Sequence, residues 1–419
     1  MRLFSLTEPW PPFIAPAHRR LPAPLDSSPH ALLPRFWRCM FALLAGVLPA
    51  LPAHADYAWN FPTPATPIAR DTLHIHNEFM LIITALFVVV FAIMIYSMIR
   101  HRKSTGHQPA KFSGPTGKLQ WFWVLVPFVM LLFIDFVLMG IPAFHAVIEM
   151  EDTKTRADLV LKVTGMQWKW QYEYPDSGIR FISTSSTPRE QIENKVAKGE
   201  HYLLEVDNEV VLPVGKKVRV LLTATDVIHT WWVPQFGVKR DAIPGFLRET
   251  WVKIEQPGVY RGQCAELCGK DHGFMPIVVR AVPEAEYLTW VGKKKAELAA
   301  AASSADRAWS QNELMTKGKE TYERICAGCH QANGQGIPNL FPALSGSKIV
   351  NGPLLSPDGK IIADSHVDRV MNGKAGSAMP PFRTTLNDVE LASTITYERN
   401  ALGNSKGDMI QPAQIKALR

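Results

Sequence analysis

Two groups of side chains in this sequence have the types and spacing of metal chemistry. The first is Cys264-Ala265-Glu266-Leu267-Cys268 followed by His272 and Met275, with His229 upstream. Thiolate, thioether and imidazole together suit copper, and not magnesium or calcium. A mononuclear blue-copper centre needs one cysteine, two histidines and a weak methionine. Here there is a second thiolate, so both sulfurs can bridge two copper ions, each with one terminal imidazole. A bridged pair shares one unpaired electron and spreads the structural change on redox over more bonds, which favours fast transfer. On the residues alone two alternatives stay open. One is structural zinc in a Cys2His2 set, which gives Met275 no role. The other is a disulfide between Cys264 and Cys268.

The second group is Cys326-Ala327-Gly328-Cys329-His330, the pattern that attaches a c-type haem. Cys326 and Cys329 would form thioethers with the vinyl groups, and His330 would be the proximal iron ligand. A distal methionine would raise the reduction potential. Met379, in Gly376-Ser377-Ala378-Met379-Pro380-Pro381-Phe382, is the expected one, because prolines hold such a loop extended. Met371 and His366 compete for that place, and His366 reads as a surface histidine. The motif by itself also fits a redox dithiol.

The rest of the chain must carry and place these groups. Its 419 residues allow two or three domains. A net charge of +7, spread along the chain, gives no nucleic-acid signature. An apolar run from about Met40 to Leu51 follows Arg35 and Arg38 and ends Ala53-His54-Ala55. That reads as a secretory signal peptide, with residues 1–55 as signal and extension; a retained short anchor is the alternative. Cleavage after Ala55 would remove Cys39, leaving four of the five cysteines, all within the two motifs.

Phe79–Ile99 and Trp121–Ile141 are apolar runs long enough to cross a bilayer, within a hairpin at 72–145. Between them lie Arg100, Arg102, Lys103, Lys111 and Lys118 and no acidic residue, which marks the connection as cytoplasmic. Both ends of the hairpin, and everything after about Ala143, would then lie on the outer face of a bacterial cytoplasmic membrane. Pro127 predicts a kink in the second span. Asp135, at mid-helix, should face protein or water rather than lipid.

Alternating sets such as Leu159, Leu161, Val163 and Val218, Val220, Leu222 predict an antiparallel sandwich or barrel over 156–284. An Ala/Lys/Glu-rich stretch at 285–308 reads as a helical, solvated linker. Residues 309–402 have the size of a small all-helical haem domain, with a tail at 403–419.

With these residues in view, the chain resembles subunit II of haem–copper cytochrome c oxidase over about Thr72 to Tyr287. The resemblance is carried by Trp168-Lys169-Trp170-Gln171-Tyr172-Glu173-Tyr174, Asp226-Val227-Ile228-His229-Thr230-Trp231, Asp241-Ala242-Ile243-Pro244-Gly245, and Cys264 through Met275-Pro276. Gly334-Gln335-Gly336, Phe341-Pro342-Ala343-Leu344 and Met379-Pro380-Pro381 resemble a class I cytochrome c. The implied fold is a transmembrane helical hairpin, an all-β cupredoxin-like domain and an all-α cytochrome c domain.

The resemblance implies a binuclear CuA centre held by His229, Cys264, Cys268, His272 and Met275 through side chains and by Glu266 through its backbone carbonyl. It implies a magnesium ion on the Glu266 carboxylate at the interface with subunit I, and Trp168 as the aromatic through which electrons come in. As a surface indole Trp168 would be a relay, whereas Trp170 reads equally well as sandwich packing. One position departs from the pattern. Gln120 stands where the family often has a glutamate near a proton-channel mouth, and an amide cannot exchange protons as a carboxylate does.

The expected function is electron transfer from a donor, a cytochrome or a quinol–cytochrome c reductase, through one covalent haem c to CuA and on to the oxygen-reducing subunit I, with subunit III and membrane lipid as further partners. The alternative is the electron-input subunit of a CuA-containing nitric-oxide reductase, since catalysis would lie in a partner either way. Quinol oxidase subunits lack these copper ligands. A nitrous-oxide reductase would carry a further large catalytic domain and no hairpin. A copper carrier would gain nothing from a fused haem.

Overall fold

The computed structural model describes residues 59–108 and 117–419, with the side chains of 137–139 excepted. The signal-peptide reading of 1–55, Cys39 included, lies outside the described residues.

Two helices, α1 (Pro67–Arg100) and α2 (Lys118–Met150), are long and apolar enough to cross a membrane, and their apolar windows are unburied. A soluble protein does not leave faces such as Phe87, Phe91, Phe128 and Phe144 bare; lipid is the solvent that suits them. Pro127 lies inside regular α-helix, and the departure from α geometry comes later, as a π-helical stretch at Phe133–Gly140. That stretch ends just before Pro142, which has no N–H to give. Asp135 lies in it, exposed on the isolated chain.

Ten strands follow: β1 (Leu159–Met166), β2 (Lys169–Tyr174), β3 (Ile179–Ser183), β4 (Val210–Pro213), β5 (Val218–Ala224), β6 (His229–Val233), β7 (Val238–Ala242), β8 (Arg248–Val252), β9 (Gly258–Cys264) and β10 (Pro276–Val282). They form two five-stranded sheets, ordered β3-β2-β1-β5-β8 and β4-β10-β9-β6-β7. The pairing is mixed: β1 runs parallel to β5 and β10 parallel to β4, while the other pairs are antiparallel. This is the cupredoxin-like sandwich. Alternation along β5 sends Val218, Val220 and Leu222 inward, where they meet Trp170, Trp231, Tyr172 and Ile277. Each fully buried large apolar side chain contributes about 1.5–3 kcal/mol.

The sandwich is fastened to the same end of both membrane helices. Thr66 caps α1 by accepting from Ala69 N at 3.1 Å, and its hydroxyl donates to Phe236 O at 2.7 Å. Arg70 forms a bidentate pair with Glu255 at 2.9 and 2.8 Å. At the C-terminal end of α2, Glu151 receives both guanidinium arms of Arg240, at 2.9 and 3.0 Å, and Trp251 Nε1 donates to Glu149 O at 2.9 Å.

Helix α3 (Glu284–Ser304) covers most of the expected linker. Its first turns pack Tyr287 and Trp290 on Tyr174, and the rest is charged and wet. The last domain is helical: α4 (Gln311–Thr321), whose continuation carries Cys326 and ends at His330, then α5 (His366–Asn372), α6 (Asp388–Asn400) and α7 (Pro412–Ala417). Capping boxes start α4 at Ser310/Glu313 and α6 at Asn387/Glu390. The two helices cross at Gly318, where a Cβ would fall 2.1 Å from Ser393 O, so only glycine permits the contact.

Candidate functional site

The thiolate cluster forms where three pieces of sandwich end together. His229 opens β6, Cys264 closes β9, and the loop between β9 and β10 brings Cys268, His272 and Met275 back over the sheet edge. Ligating atoms of His229, Cys264 and Cys268 all lie within 4.8 Å of one another. Cys264 Sγ is 3.9 Å from Cys268 Sγ, 3.9 Å from His229 Nδ1 and 3.4 Å from the Glu266 carbonyl oxygen. Cys268 Sγ is 3.4 Å from His272 Nδ1 and 3.5 Å from Met275 Sδ. The donors thus divide into two sets that share the two sulfurs: imidazole and carbonyl on the Cys264 side, imidazole and thioether on the Cys268 side. This donor set fits two soft metal ions better than one zinc, since Met275 and the Glu266 carbonyl both find a place.

The surroundings fix the donors. Asp226 Oδ1 accepts from His229 Nε2 at 2.9 Å, and both side chains are almost fully buried. A carboxylate accepts only, so Nε2 bears a proton, and Nδ1 is the ring nitrogen that faces Cys264. Asp226 Oδ2 also accepts from Gln167 N at 2.7 Å, so the carboxylate itself is held. Such an outer partner orients a metal-binding imidazole. Gly165 of β1 lies under the His229 ring, where a Cβ would come within 2.8 Å of it. Trp170, fully buried, donates to Met275 O at 3.2 Å and packs edge-on to His229. Asp226 and Gly165 are the site residues that spacing alone does not single out; the Asp three residues before His229 was the available signal.

The two thiols are strongly unlike. A hydrogen bond from Cys268, helped by His229 and opposed by burial, pulls Cys264 down to about 3. Cys268, donating to that thiolate and buried, is pushed far up. Burial works against a charged His229, but its bonds to Asp226 and Cys264 outweigh that and raise it. The bond between the two sulfurs thus favours ionisation at Cys264 over Cys268, and metal binding displaces the proton that remains.

The C-x-x-C-H residues line a second feature, a cavity of about 380 Å³. Cys326, Cys329, His330 and Met379 line it, together with Leu344, Val350, Val370 and Phe382. His330 Nδ1 donates to Pro342 O at 2.9 Å, which leaves Nε2 as the free lone pair. Burial pushes both the Cys326 and the Cys329 thiols up. Met371 is fully buried in the domain's core and is not among the residues lining the cavity. An apolar cavity with two cysteines on one wall, one imidazole with a bare nitrogen, and a methionine suits a covalent haem.

Two expectations are corrected here. His366 is not a surface histidine: it is 2 % exposed and lines the cavity. Trp168 is not a surface indole either. It is 8 % exposed: Phe341 of the haem domain meets it edge-on at 5.9 Å, Lys270 Nζ lies 5.4 Å over its ring, and a Cβ on Gly328 would come within 3.8 Å of it. On its other side Trp168 Nε1 donates to Cys268 O at 3.2 Å. One indole therefore lies between Phe341 of the haem domain and the thiolate loop.

The two domains are held together around that indole. The ammonium of Lys169, 6 % exposed, donates to Gln167 O at 3.0 Å and to Ile325 O at 3.1 Å. Arg180 donates to Thr384 O at 2.8 Å, and Thr385 Oγ1 donates to Gln171 Oε1 at 2.8 Å. Ile182 of β3 is buried in the haem domain's own core cluster.

Comparison with known proteins gives the same three parts. The family model "Cytochrome C oxidase subunit II, transmembrane domain" matches residues 54–141, and "Cytochrome C oxidase subunit II, periplasmic domain" matches 159–282. The "Probable cytochrome c oxidase subunit 2" of Rickettsia felis is 34 % identical over 265 residues, covering 62 % of this chain and 80 % of that protein. The chain belongs to the cytochrome c oxidase subunit II family. The "Cytochrome c oxidase subunit 2" of Cereibacter sphaeroides is 35 % identical over 246 residues, 55 % of this chain and 78 % of that protein. Among solved structures, the periplasmic domain of subunit II of the cytochrome oxidase of Bradyrhizobium japonicum is 48 % identical, covers 34 % of this chain and 96 % of that one, and has a TM-score of 0.31. A third family model, "Cytochrome C oxidase, cbb3-type, subunit III", matches 313–397. This subunit II thus carries a cytochrome c domain after its sandwich. It is a membrane-anchored component of a haem–copper oxidase, with subunit I as partner. The subunit II domain implies CuA copper and the cytochrome domain implies haem.

Proposed function

We propose that this chain takes electrons in at its cytochrome domain and delivers them through its sandwich to subunit I. His229, Cys264, Cys268, His272 and Met275 would hold the copper pair through side chains, and Glu266 through its carbonyl oxygen. Cys326 and Cys329 would carry the haem as thioethers, with His330 and Met379 as axial ligands. When bound, these groups supply one-electron storage at neighbouring positions, between a donor such as a cytochrome or a quinol–cytochrome c reductase and the oxygen-reducing subunit.

The chain's own residues do the positioning. Asp226 keeps His229 in the tautomer that presents Nδ1. Pro342 does the same for His330 in the opposite sense, leaving Nε2. Lys169 and Arg180 hold the two domains in register, and the apolar walls of the cavity exclude water. Glu266 is exposed beside Leu267, which is 79 % exposed; this favours the loop as the face toward subunit I, with magnesium on the Glu266 carboxylate. The basic connection of Arg100, Arg102 and Lys103 favours the cytoplasmic side for the hairpin turn and the periplasmic side for both redox domains. Subunit III would complete the assembly.

The observation that carries the reading is the Trp168 indole, packed edge-on to Phe341 of the cytochrome domain on one side and bonded to the Cys268 carbonyl on the other. In the complex with subunit I, Trp168→Ala should leave donor-to-haem reduction unchanged. Onward transfer should slow by about tenfold or more, equivalent to about 1.4 kcal/mol of barrier. Flash reduction with optical detection reads both steps, and the near-infrared copper band checks that the centre is intact. An unchanged onward rate would rule Trp168 out as the contact that matters.

A further inference from the structure

The haem cavity has a polar wall that the thioether and axial residues leave unused. His366, the first residue of α5, is 2 % exposed, and its Nε2 lies 2.6 Å from Oε2 of Glu398 on α6, itself 3 % exposed. Both line the cavity, as does Thr394. His366 Nδ1 and Thr394 Oγ1 are buried and have no hydrogen-bond partner. Buried polar groups normally find partners, and a buried imidazole–carboxylate pair seldom stabilises a fold better than apolar side chains of the same volume. The pair is therefore poorly explained by stability and well placed to respond to a charge change inside the cavity.

We propose that His366 and Glu398 form a proton-accepting pair coupled to the redox state of the haem, taking up one proton when the haem is reduced and releasing it on oxidation. This rests on the reading of the cavity as the haem site. The balance is ferric haem plus one electron from the donor plus one hydronium ion from the surrounding water, giving ferrous haem, the protonated pair and a water molecule. One O–H bond of hydronium breaks and one N–H or O–H bond of the pair forms. In the one-proton state the pair has no net charge, whether written as imidazolium–carboxylate or imidazole–carboxylic acid. Without that proton it carries −1. Reduction removes one positive charge from the iron, so the −1 state becomes less favourable and the proton is held more tightly. At an effective dielectric of about 20, unit charges about 10 Å apart shift one another's equilibrium by roughly tenfold.

The other groups facing the pair do not take its place. Tyr322 and Cys326 are both pushed up by burial and feel Glu398, and Cys326 is consumed as a thioether. His330 is taken as the proximal ligand. Lys169 is bonded to the carbonyls of Gln167 and Ile325, and Arg369 pairs with Asp364. Lys374 lies on the loop after α5, and Tyr397 on α6, pushed up by burial, also feels Glu398. Histidine is the side chain whose ordinary titration falls near neutral pH. The sign follows: a proton bound more tightly in the reduced state makes the midpoint potential fall as pH rises through the pair's titration. Below and above that range it is flat.

The test uses the full-length chain with its covalent haem, titrated spectroelectrochemically between about pH 5 and 9. The wild type should fall with pH at up to tenfold per unit, about 59 mV for a one-electron couple. Glu398→Gln, nearly isosteric, and His366→Phe should each flatten that dependence while keeping the methionine-to-iron absorption band. A Glu398→Gln variant with the wild-type slope would overturn the proposal, as would a flat wild-type profile. A wild type without the methionine-to-iron band, with that band gained in His366→Phe, would overturn it too, by making His366 an iron ligand. Absence of covalent haem from the wild-type chain would remove the haem reading itself, a failure that haem staining of a denaturing gel tells apart from the others.

Discussion

Serine in place of Cys268 should leave the haem attached and reducible while cutting electron delivery to subunit I by more than about 100-fold. Losing an outer-sphere partner of a metal ligand already costs 10–100-fold, and Cys268 is closer in than that. Its sulfur approaches His272 Nδ1, Met275 Sδ and Cys264 Sγ at 3.4, 3.5 and 3.9 Å. It is the atom common to both halves of the donor set. A hydroxyl is a harder donor that does not ionise near neutrality, so it cannot bridge copper as a thiolate does. The side chain is buried but small, so the sandwich should fold. Copper content, haem staining and turnover of the variant oxidase check this together. Normal turnover would contradict the copper assignment.

Replacing Met379 with His should lower the haem potential by on the order of 0.1–0.3 V, because thioether ligation favours the reduced iron and imidazole does not. Onward transfer would then speed up while reduction by the donor becomes unfavourable. Met379 is presented by a loop tied back on itself: Lys374 N donates to Met379 O at 3.0 Å, and Gly373, at φ +71°, lets that carbonyl approach. Pro380 and Pro381 follow and hold the exit extended. Met371→Ala is the contrasting variant. Its side chain fills the core, so it should cost about 2–5 kcal/mol of stability and leave the potential in place. A potentiometric titration of both variants reads the difference. A Met379→His variant with an unshifted potential would move the distal ligand elsewhere.

How much of this was legible in the sequence depended on whether the determining contacts are local. The hairpin was legible because lipid demands about twenty consecutive apolar residues. The thiolate loop was legible because Cys264, Cys268, His272 and Met275 lie within one turn-and-strand segment, and only His229 comes from elsewhere. The sandwich showed in the alternation of β1 and β5. The burial of Trp168 was not legible. Nothing near it in the chain covers it; Lys270, about 100 residues on, and Phe341, more than 150 residues on, do. Lys169 reads as a solvated charge in a strand, since its partners are carbonyls that any sequence could supply. His366 follows a serine cap and precedes Asp368 and Arg369, which looks like the wet start of a short helix. Its burial depends on Glu398, 32 residues away. The π-helical stretch at Phe133–Gly140 was missed because Pro127 was the visible helix breaker, while the departure lies before Pro142.

The central proposal is that this chain's thiolate cluster holds two coppers and its C-x-x-C-H cavity a covalent haem, with Trp168 packed between Phe341 and the thiolate loop. Metal analysis of the purified full-length chain, with its visible and near-infrared spectrum, tests this most directly. Two coppers and one haem per chain, with a near-infrared band from a shared unpaired electron, is the predicted result. Zinc in the cluster, or haem without copper, would contradict it.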